Sequence, residues 1–231
     1  AVALLKDAYT KKTFSYWFYH PTPEGKTFLS EIFNPFYMTI CKPNQWRHFV
    51  YHPDNAKAFI SHDMQDFCQS NGILMDPAVP YKPSTNGLAE AAIKVLTNAA
   101  ACTMASAKLH QSIFPFAWNH CEAINNSLPK PPNFKSPNFL TDGTTTHGSS
   151  LKTFGCHGFV RDPTSTSAKQ DAPNHPARYL GNVLDHETKV YALDEDTNVI
   201  NPLGTGDFIF NETNVEASTQ QLDVNEELAF I

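Results

Sequence analysis

The feature that most restricts the fold is an alanine-rich stretch, residues 85–109, which contains almost no helix-breaking residues. Alanine has the highest intrinsic helix propensity, so this stretch predicts the longest helix of the chain. Apolar, β-branched and aromatic stretches precede it, and a second helical pattern follows at 113–127. Strands and helices that alternate in this way are typical of an α/β protein. We therefore predict an α/β domain over residues 1–127.

The elements before the long helix follow from the same patterns. Pro35 interrupts the helical pattern that opens near Glu24, so we expect that helix to be kinked or short. A later amphipathic helix should end at Asn71-Gly72, a favourable C-terminal cap. The predicted strands are 1–7, 13–20, 46–52 and 73–75.

The pattern changes after the polar residues 141–150. Short alternating segments follow, separated by Gly, Pro, Asn and Asp, and they predict a small all-β, barrel-like module at 151–213. Residues 128–150 are then a linker. Residues 214–231 are acidic, and we expect a loosely ordered tail there.

The charge is unevenly distributed. The 17 bases and 23 acids give a net charge of −6. Residues 181–231 hold one base and eleven acids, or −10, whereas residues 1–180 hold sixteen bases and twelve acids, or +4. A dedicated nucleic-acid binder usually carries a stripe of Lys and Arg, which this chain lacks. The composition still allows an enzyme that meets nucleic acid through a metal site.

Cysteine usage and hydropathy exclude several protein classes. The five cysteines are an odd number and form no C-x-x-C pair, which disfavours a disulfide framework or a zinc knuckle and favours an intracellular, reducing compartment. No apolar run reaches the roughly 18 to 20 residues that span a bilayer, so we expect no membrane partner. The chain begins at Ala1 within a predicted strand, and we expect it to be a fragment of a longer protein.

Two acidic residues have positions that suit a metal-binding site. Asp54 directly follows the strand at 46–52, at the end of a strand where α/β proteins place their sites. Glu90 lies in the first turns of the long helix. The two carboxylates can converge on a hard cation such as Mg²⁺. Position alone also fits a turn residue for Asp54 and a partner of the helix dipole for Glu90, which are the commoner roles of such residues, so both interpretations stay open here.

Short motifs around these acids occur in a fixed order along residues 1–213. Two of them are NGI at 71–73 and PYKPSTNGLAE at 80–90. The others lie at 5–18, 52–59, 116–118, 126–129, 136–143, 151–156, 179–181, 191 and 207–212. In this order and spacing they resemble the integrases of copia-type LTR retrotransposons.

The resemblance implies a ribonuclease-H-like mixed sheet with flanking helices and a DDE-type site. In that family three carboxylates hold two Mg²⁺ or Mn²⁺ ions for metal-dependent strand transfer, which integrates element DNA into host DNA. Asp54 matches the second carboxylate and Glu90 the third. The first falls on a strand upstream of Ala1 that this chain lacks, and Asp7 matches a different strand. The implied partners are the element ends, target DNA and further copies of the full-length protein, in the nucleus.

The resemblance also suggests four residues that contact nucleic acid: Tyr81, Lys82, Asn86 and Lys94. Stacking on a base and packing within the protein are equally compatible with Tyr81. Where the family has basic residues after the catalytic Glu, only Lys94 keeps a charge here, and loss of such contacts weakens DNA binding. Whether the chain is an enzyme therefore stays open. The alternative is a decayed or repurposed module that binds nucleic acid or protein without catalysis.

Overall fold

The computed structural model describes residues 2–18, 24–44, 49–79, 86–145, 151–161, 174–183 and 188–212. The chain is a mixed α/β protein with two compact units. The first unit comprises residues 1–95 and 126–145, and the second comprises residues 96–125 and 146–231. In the described part of the chain, no helix combines the length and the apolarity that a membrane crossing requires.

The first unit begins with a β-hairpin, as the sequence predicts. Strand β1 (Val2–Lys6) pairs antiparallel with β2 (Thr13–Trp17). The carboxylate of Asp7 closes the turn, because it accepts hydrogen bonds from the backbone N–H groups of Tyr9 (3.1 Å) and Thr10 (2.8 Å) and from the Thr10 hydroxyl. An aspartate side chain that bonds to the backbone just after it is a common way to set a turn.

A helical stretch at 25–41, here α1, follows the hairpin. It consists of α-helical turns at Gly25–Phe28 and Asn34–Phe36 and π-helical turns at Leu29–Phe33 and Tyr37–Cys41. Pro35 lies within it and does not end it. The wider π turns pair each N–H five residues back, so the helix adjusts its hydrogen bonding on both sides of the proline instead of stopping.

Two further short strands form a parallel pair. Strand β3 (Val50–Tyr51) pairs with β4 (Leu74–Met75). Helix α2 (His62–Ser70) connects them, capped at its start by the Ser61 hydroxyl, which accepts from the Met64 N–H. As predicted, α2 stops at residues 71–72, where Gly72 has a positive φ of 67°. The predicted strand at 46–52 is shorter here, and its residues 46–48 lie outside the described part.

The core of the first unit is strongly aromatic. Phe33 is fully buried and lies against Tyr51 with 4.6 Å between ring centroids, and against Phe67 with 5.9 Å. The other buried members are Ala3, Phe28, Ile32, Met64, Cys68 and Ile73. Aromatic pairs at these spacings add to the stability gained from burial. The core therefore joins α1 and α2 to strands β1 and β3.

The long predicted helix is confirmed as α3 (Gly87–Ala107), and the next as α4 (Phe114–Ser127). A 3₁₀ turn, Gln111–Ile113, separates them, and α5 (Pro137–Asp142) follows. Near the end of α4, Asn126 is buried and bonds to the edge of the hairpin. Its Oδ1 accepts from the N–H (3.0 Å) and hydroxyl (3.1 Å) of Thr13, and its Nδ2 donates to the Thr13 carbonyl (2.8 Å).

The second unit contains a five-stranded antiparallel sheet. Its strands are β5 (His157–Arg161), β6 (Asn174–Asn182), β7 (Lys189–Asp194), β8 (Ile200–Gly204) and β9 (Phe208–Asn211), in the order β8-β7-β6-β5-β9. A 3₁₀ turn, Thr205–Asp207, joins the last two. The predicted run of short strands is thus present. Among the described strand pairs, β8 and β9 are the end strands, and closure into a barrel stays a prediction.

Burial has an electrostatic consequence at His120 of α4. The ring lies against Phe154 and Tyr179, with centroids 5.4 and 5.9 Å away. Burial lowers the pKa of His120 to about 4, because the charged imidazolium loses its hydration. The folded protein therefore keeps His120 neutral at pH values where an unfolded chain would protonate it.

We predict that replacing Asn126 with Ala lowers the free energy of unfolding by roughly 2 to 4 kcal/mol, since it leaves the buried N–H and C=O of Thr13 without a partner. Urea denaturation followed by tryptophan fluorescence measures the change. The control is Asn98→Ala at an exposed position of α3, which should cost nothing. Equal stability of Asn126→Ala and the parent chain would contradict the structural role of these bonds.

We also predict that the protein loses stability as the pH falls from about 6.5 to 4, by up to about 3 kcal/mol from His120 alone. Stability falls on acidification because the unfolded chain binds the His120 proton at a higher pH than the folded protein does. Protonation therefore favours unfolding. Urea denaturation across that pH range should show a smaller loss for His120→Gln than for the parent. His62→Gln is the control, because the side chain of His62 is 89% exposed. If His120→Gln loses as much stability over this pH range as the parent chain, His120 is not the cause of the loss.

Candidate active site

Asp54 is held at the end of β3 by hydrogen bonds that extend the parallel ladder. The N–H groups of Leu74, Asp76 and Ala78 donate to the carbonyls of residues 49, 51 and 53 at 3.2, 2.9 and 2.8 Å. Asn55 adds a side-chain bond from Nδ2 to the Ala78 carbonyl at 2.8 Å. The chain therefore leaves the ladder at a fixed point, directly before the exposed carboxylate of Asp54.

The surroundings of Asp54 are partly buried and partly open. Its Oδ1 accepts from the Ala56 N–H at 3.0 Å, which fixes a bend in the chain just after the strand. Nearby, Tyr51 is buried, and burial raises the pKa of its hydroxyl, with smaller contributions from Cys68 and from the charge of Asp54. The charge of Asp54 therefore acts on a buried core residue, while its carboxylate faces solvent.

Glu90 occupies the first turn of α3, where the sequence places it. The N–H groups of Ala89 and Glu90 both donate to the Asn86 carbonyl at 3.1 Å, so Asn86 marks the start of the helix. The Glu90 side chain is exposed. A negative charge in the first turn of a helix interacts favourably with the helix dipole.

One cavity of about 740 Å³ brings these elements together within the first unit. Asp54 lines it, and so do Asn86, Leu88 and Ala89 at the start of α3. Glu90 is the next residue of the same turn and is not among the lining residues. Strands β1 and β3 and aromatic side chains of α1 supply further parts of the wall. The structure thus gathers Asp54 and the beginning of the Glu90 helix around one space.

The carboxylates present suit a hard divalent cation, but they form only part of the ligand set that the resemblance implies. Asp54 and Glu90 offer exposed carboxylate oxygens, which Mg²⁺ and Mn²⁺ prefer. The described residues contain no group of three or more His, Cys, Asp or Glu side chains that could hold a metal ion. The described chain can therefore supply two carboxylates of the three that the resemblance implies, and a shared ion at Asp54 and Glu90 stays a prediction.

Asp7 also lines the cavity, but its carboxylate has a structural task. Both of its oxygens accept hydrogen bonds within the hairpin turn. Burial, and to a smaller extent the charge of Asp7, raises the pKa of the Cys41 thiol to about 12. The described geometry therefore accounts for Asp7 as a turn residue.

The predicted nucleic-acid contacts divide into two groups. Tyr81 and Lys82 lie outside the described residues. Asn86 is half-buried at the start of α3, and Lys94 is exposed one turn beyond Glu90. Beside the Asp54 loop, Nδ1 of His52 lies 3.3 Å from Oδ2 of Asp76. Nothing in the sequence pattern pairs these two residues, because the pairing depends on the register of β3 against β4.

Comparison with known proteins supports the motif resemblance. The chain is 30% identical over 129 residues to a retrovirus-related Pol polyprotein from transposon TNT 1-94 of Nicotiana tabacum. The match covers 55% of this chain and 10% of the relative, so the chain corresponds to a small part of that polyprotein. No family model matches the chain.

Two solved structures are also similar to the chain. A chain of the simian T-cell lymphotropic virus intasome, in complex with PP2A regulatory subunit B56 gamma, is 14% identical with a TM-score of 0.48, and the match covers 90% of this chain and 71% of that one. The catalytic core domain of BIV integrase is 15% identical with a TM-score of 0.43, covering 61% of this chain and 84% of that domain.

The chain is thus similar to part of a transposon Pol polyprotein. This match supports the resemblance to the copia-type LTR retrotransposon integrases that the motifs indicate. Because the aligned relative is about ten times longer than the match, the activity, substrates and partners of the whole polyprotein are matters for proposal.

Proposed function

We propose that this chain is the integrase region of a retrotransposon polyprotein and takes part in metal-dependent strand transfer of element DNA into host DNA. The observation that carries the proposal is the shared cavity, which has Asp54 on one wall and the first turn of the Glu90 helix on another. The sequence match to a transposon Pol polyprotein supports it. In this proposal Asp54 and Glu90 are two of three catalytic carboxylates.

The residues of this chain would hold and orient the reacting groups. Asp54 and Glu90 would hold Mg²⁺ or Mn²⁺, which when bound activates a hydroxyl nucleophile and stabilises the leaving oxygen. The ladder at 49–53 keeps the Asp54 backbone in place while DNA approaches. Such a site needs little other side-chain chemistry, because positioning and charge stabilisation supply most of the rate enhancement in phosphoryl transfer.

The proposal extends to the fold and the partners. Residues 1–127 would be a ribonuclease-H-like core whose first strand is missing and residues 151–213 a barrel-like module, with 128–150 as linker and 214–231 as tail. DNA would be contacted by Asn86 and Lys94, together with Tyr81 and Lys82. The full-length protein would act as a homo-oligomer in the nucleus.

A second candidate function deserves its own test, since one observation favours it. The three residues after Glu90 are Ala91, Ala92 and Ile93, and Ile93 is 41% exposed. An exposed apolar side chain in place of a cation removes attraction for phosphate on this face of the helix. The chain would then be a decayed or repurposed module that binds nucleic acid or protein without catalysis.

We predict that the 231-residue chain binds Mn²⁺ weakly and that Asp54→Asn and Glu90→Gln each weaken the binding roughly tenfold, or about 1.4 kcal/mol. Each change removes one anionic oxygen donor from a site with few donors. Electron paramagnetic resonance of free Mn²⁺ measures the affinity. Asp63→Asn is the matched control, because Asp63 is an exposed acid in the first turn of α2. Unchanged binding in both site variants would show that these carboxylates do not hold the ion.

We further predict that the 231-residue chain alone shows no strand transfer on a labelled LTR-end duplex, because the two-metal mechanism needs a third carboxylate. A protein extended upstream through that carboxylate should be active with Mg²⁺. Its Asp54→Asn and Glu90→Gln variants should lose at least 100-fold, in line with typical losses on removal of an essential catalytic group.

The outcomes of this assay separate the two candidate functions. Equal activity of the extended protein and both variants would show that Asp54 and Glu90 are not catalytic. An inactive extended protein that still binds Mn²⁺ would favour the non-catalytic module. Activity in the unextended chain that disappears in Asp7→Asn would identify Asp7 as the first carboxylate.

A further inference from the structure

Two loops of the first unit are held next to each other: the turn of the β1–β2 hairpin and the loop at 128–135. Asn126, two residues before that loop, bonds to both the backbone and the hydroxyl of Thr13. In the pairing of β1 with β2, Lys6 lies directly opposite Thr13. The structure therefore places Lys6 beside the start of the loop at 128–135, although more than 110 residues separate them in sequence.

These two loops concentrate positive charge. Residues 2–18 and 126–145 carry five lysines and two aspartates, a net charge of +3 in a chain whose net charge is −6. Both aspartates are engaged, because Asp142 pairs with Lys12 at 3.1 Å and the oxygens of Asp7 accept hydrogen bonds in the hairpin turn. The other four lysines form no ion pair with any described residue. We call them the lysine patch: Lys6, Lys11, Lys130 and Lys135.

The charges of the lysine patch act on one another. Burial, and to a smaller extent the charge of Lys11, lowers the pKa of Lys6. Burial, and to a smaller extent the charge of Lys6, lowers the pKa of Lys130. Cations that are held near each other and partly buried are destabilised relative to free ones in water. A bound polyanion would offset this repulsion, so the lysine patch favours a ligand that carries several negative charges.

Each of the two loops also exposes an aromatic ring. Tyr9 in the hairpin turn is 81% exposed and Phe134 is 73% exposed, the two highest values among the large hydrophobic side chains of the described residues. The loop around Phe134 is closed by hydrogen bonds, since the Phe134 N–H donates to the Lys130 carbonyl at 3.0 Å and the Lys130 N–H donates to the Lys135 carbonyl at 3.1 Å. The ring of Phe134 is thus held in solvent between two lysines.

We infer that the lysine patch and the two exposed rings bind single-stranded nucleic acid, with phosphates at the lysines and unpaired bases stacked on Phe134 and Tyr9. Lysines arranged along a backbone and aromatic rings that stack on bases are the two parts of such surfaces. A duplex offers phosphates but keeps the faces of its bases stacked on one another. An acidic peptide matches the lysines but presents no flat partner to the rings. Single-stranded nucleic acid satisfies both.

The inference does not rest on the proposed catalytic role, because this surface uses neither a metal ion nor the carboxylates of Asp54 and Glu90. Binding should persist in EDTA, and Asp54→Asn should bind a single strand as tightly as the parent chain does. Single-strand binding and metal-dependent strand transfer can therefore fail separately.

The test uses the 231-residue chain and a fluorescent oligonucleotide of about twelve thymidines, a length within the range that single-strand-binding surfaces cover. Fluorescence anisotropy in EDTA at low salt should show saturable binding. A duplex with the same number of phosphates should bind at least fivefold more weakly. A polyglutamate peptide of equal charge should compete at least tenfold less well than the unlabelled oligonucleotide.

Protein variants separate stacking from charge. Phe134→Asn should weaken binding at least fivefold without changing its salt dependence, and asparagine suits the positive φ of 54° at this position. The double variant Lys130→Gln with Lys135→Gln should reduce the slope of log K against log salt concentration by about 1.4, or about 0.7 for each phosphate contact. The matched controls are Phe159→Thr and Lys189→Gln, at exposed positions of the second unit.

Tyr9→Ser is a second aromatic variant and should also weaken binding, and circular dichroism must show every variant folded. Weaker binding in a folded Phe134→Asn or Tyr9→Ser chain, with Phe159→Thr unaffected, supports the inference. Four results would overturn it: no binding, equally tight binding of the duplex, equal competition by polyglutamate, or unchanged binding in both aromatic variants.

Discussion

The parallel ladder between residues 49–53 and 74–78 is the constraint on which the geometry of the candidate site depends. Three backbone hydrogen bonds fix the register, and the Asn55 side chain adds a fourth at the point where the strand ends. Beneath the ladder, Tyr51 is buried against Phe33. A one-residue slip would turn Tyr51 out of the core and carry Asp54 away from the cavity. Aromatic packing in the core therefore sets the position of an exposed carboxylate.

The two units use different means to hold their helices. In the first unit, α1 buries a row of phenylalanines and keeps its course through Pro35 by changing between α and π turns. In the second unit, a charged side chain holds the end of a helix. Arg178 is buried, and its guanidinium donates to Glu195 Oε1 at 2.8 Å and to the Ala107 carbonyl at 3.1 Å, at the last residue of α3. A cation at that end of a helix also complements the helix dipole.

Sequence patterns predicted those elements whose signals are local. The alanine-rich helix, the cap at Gly72 and the alternating strands of the second unit all follow from propensity and turn chemistry. At Pro35 the sequence predicts a helix that is kinked or short, and the structure continues the helical stretch past it through π turns, which no local motif specifies. The pairing of His52 with Asp76 and the shared cavity of Asp54 and Asn86 depend on chain segments more than twenty residues apart, which no local pattern specifies.

The electrostatics of the candidate site follow from the same geometry. The carboxylates of Asp54 and Glu90 are both exposed, so water screens their attraction for a cation. Removal of that water would strengthen the attraction, but a desolvated charge without a counter-charge is costly. A metal site built on these two carboxylates alone would therefore be weak while both of them face solvent.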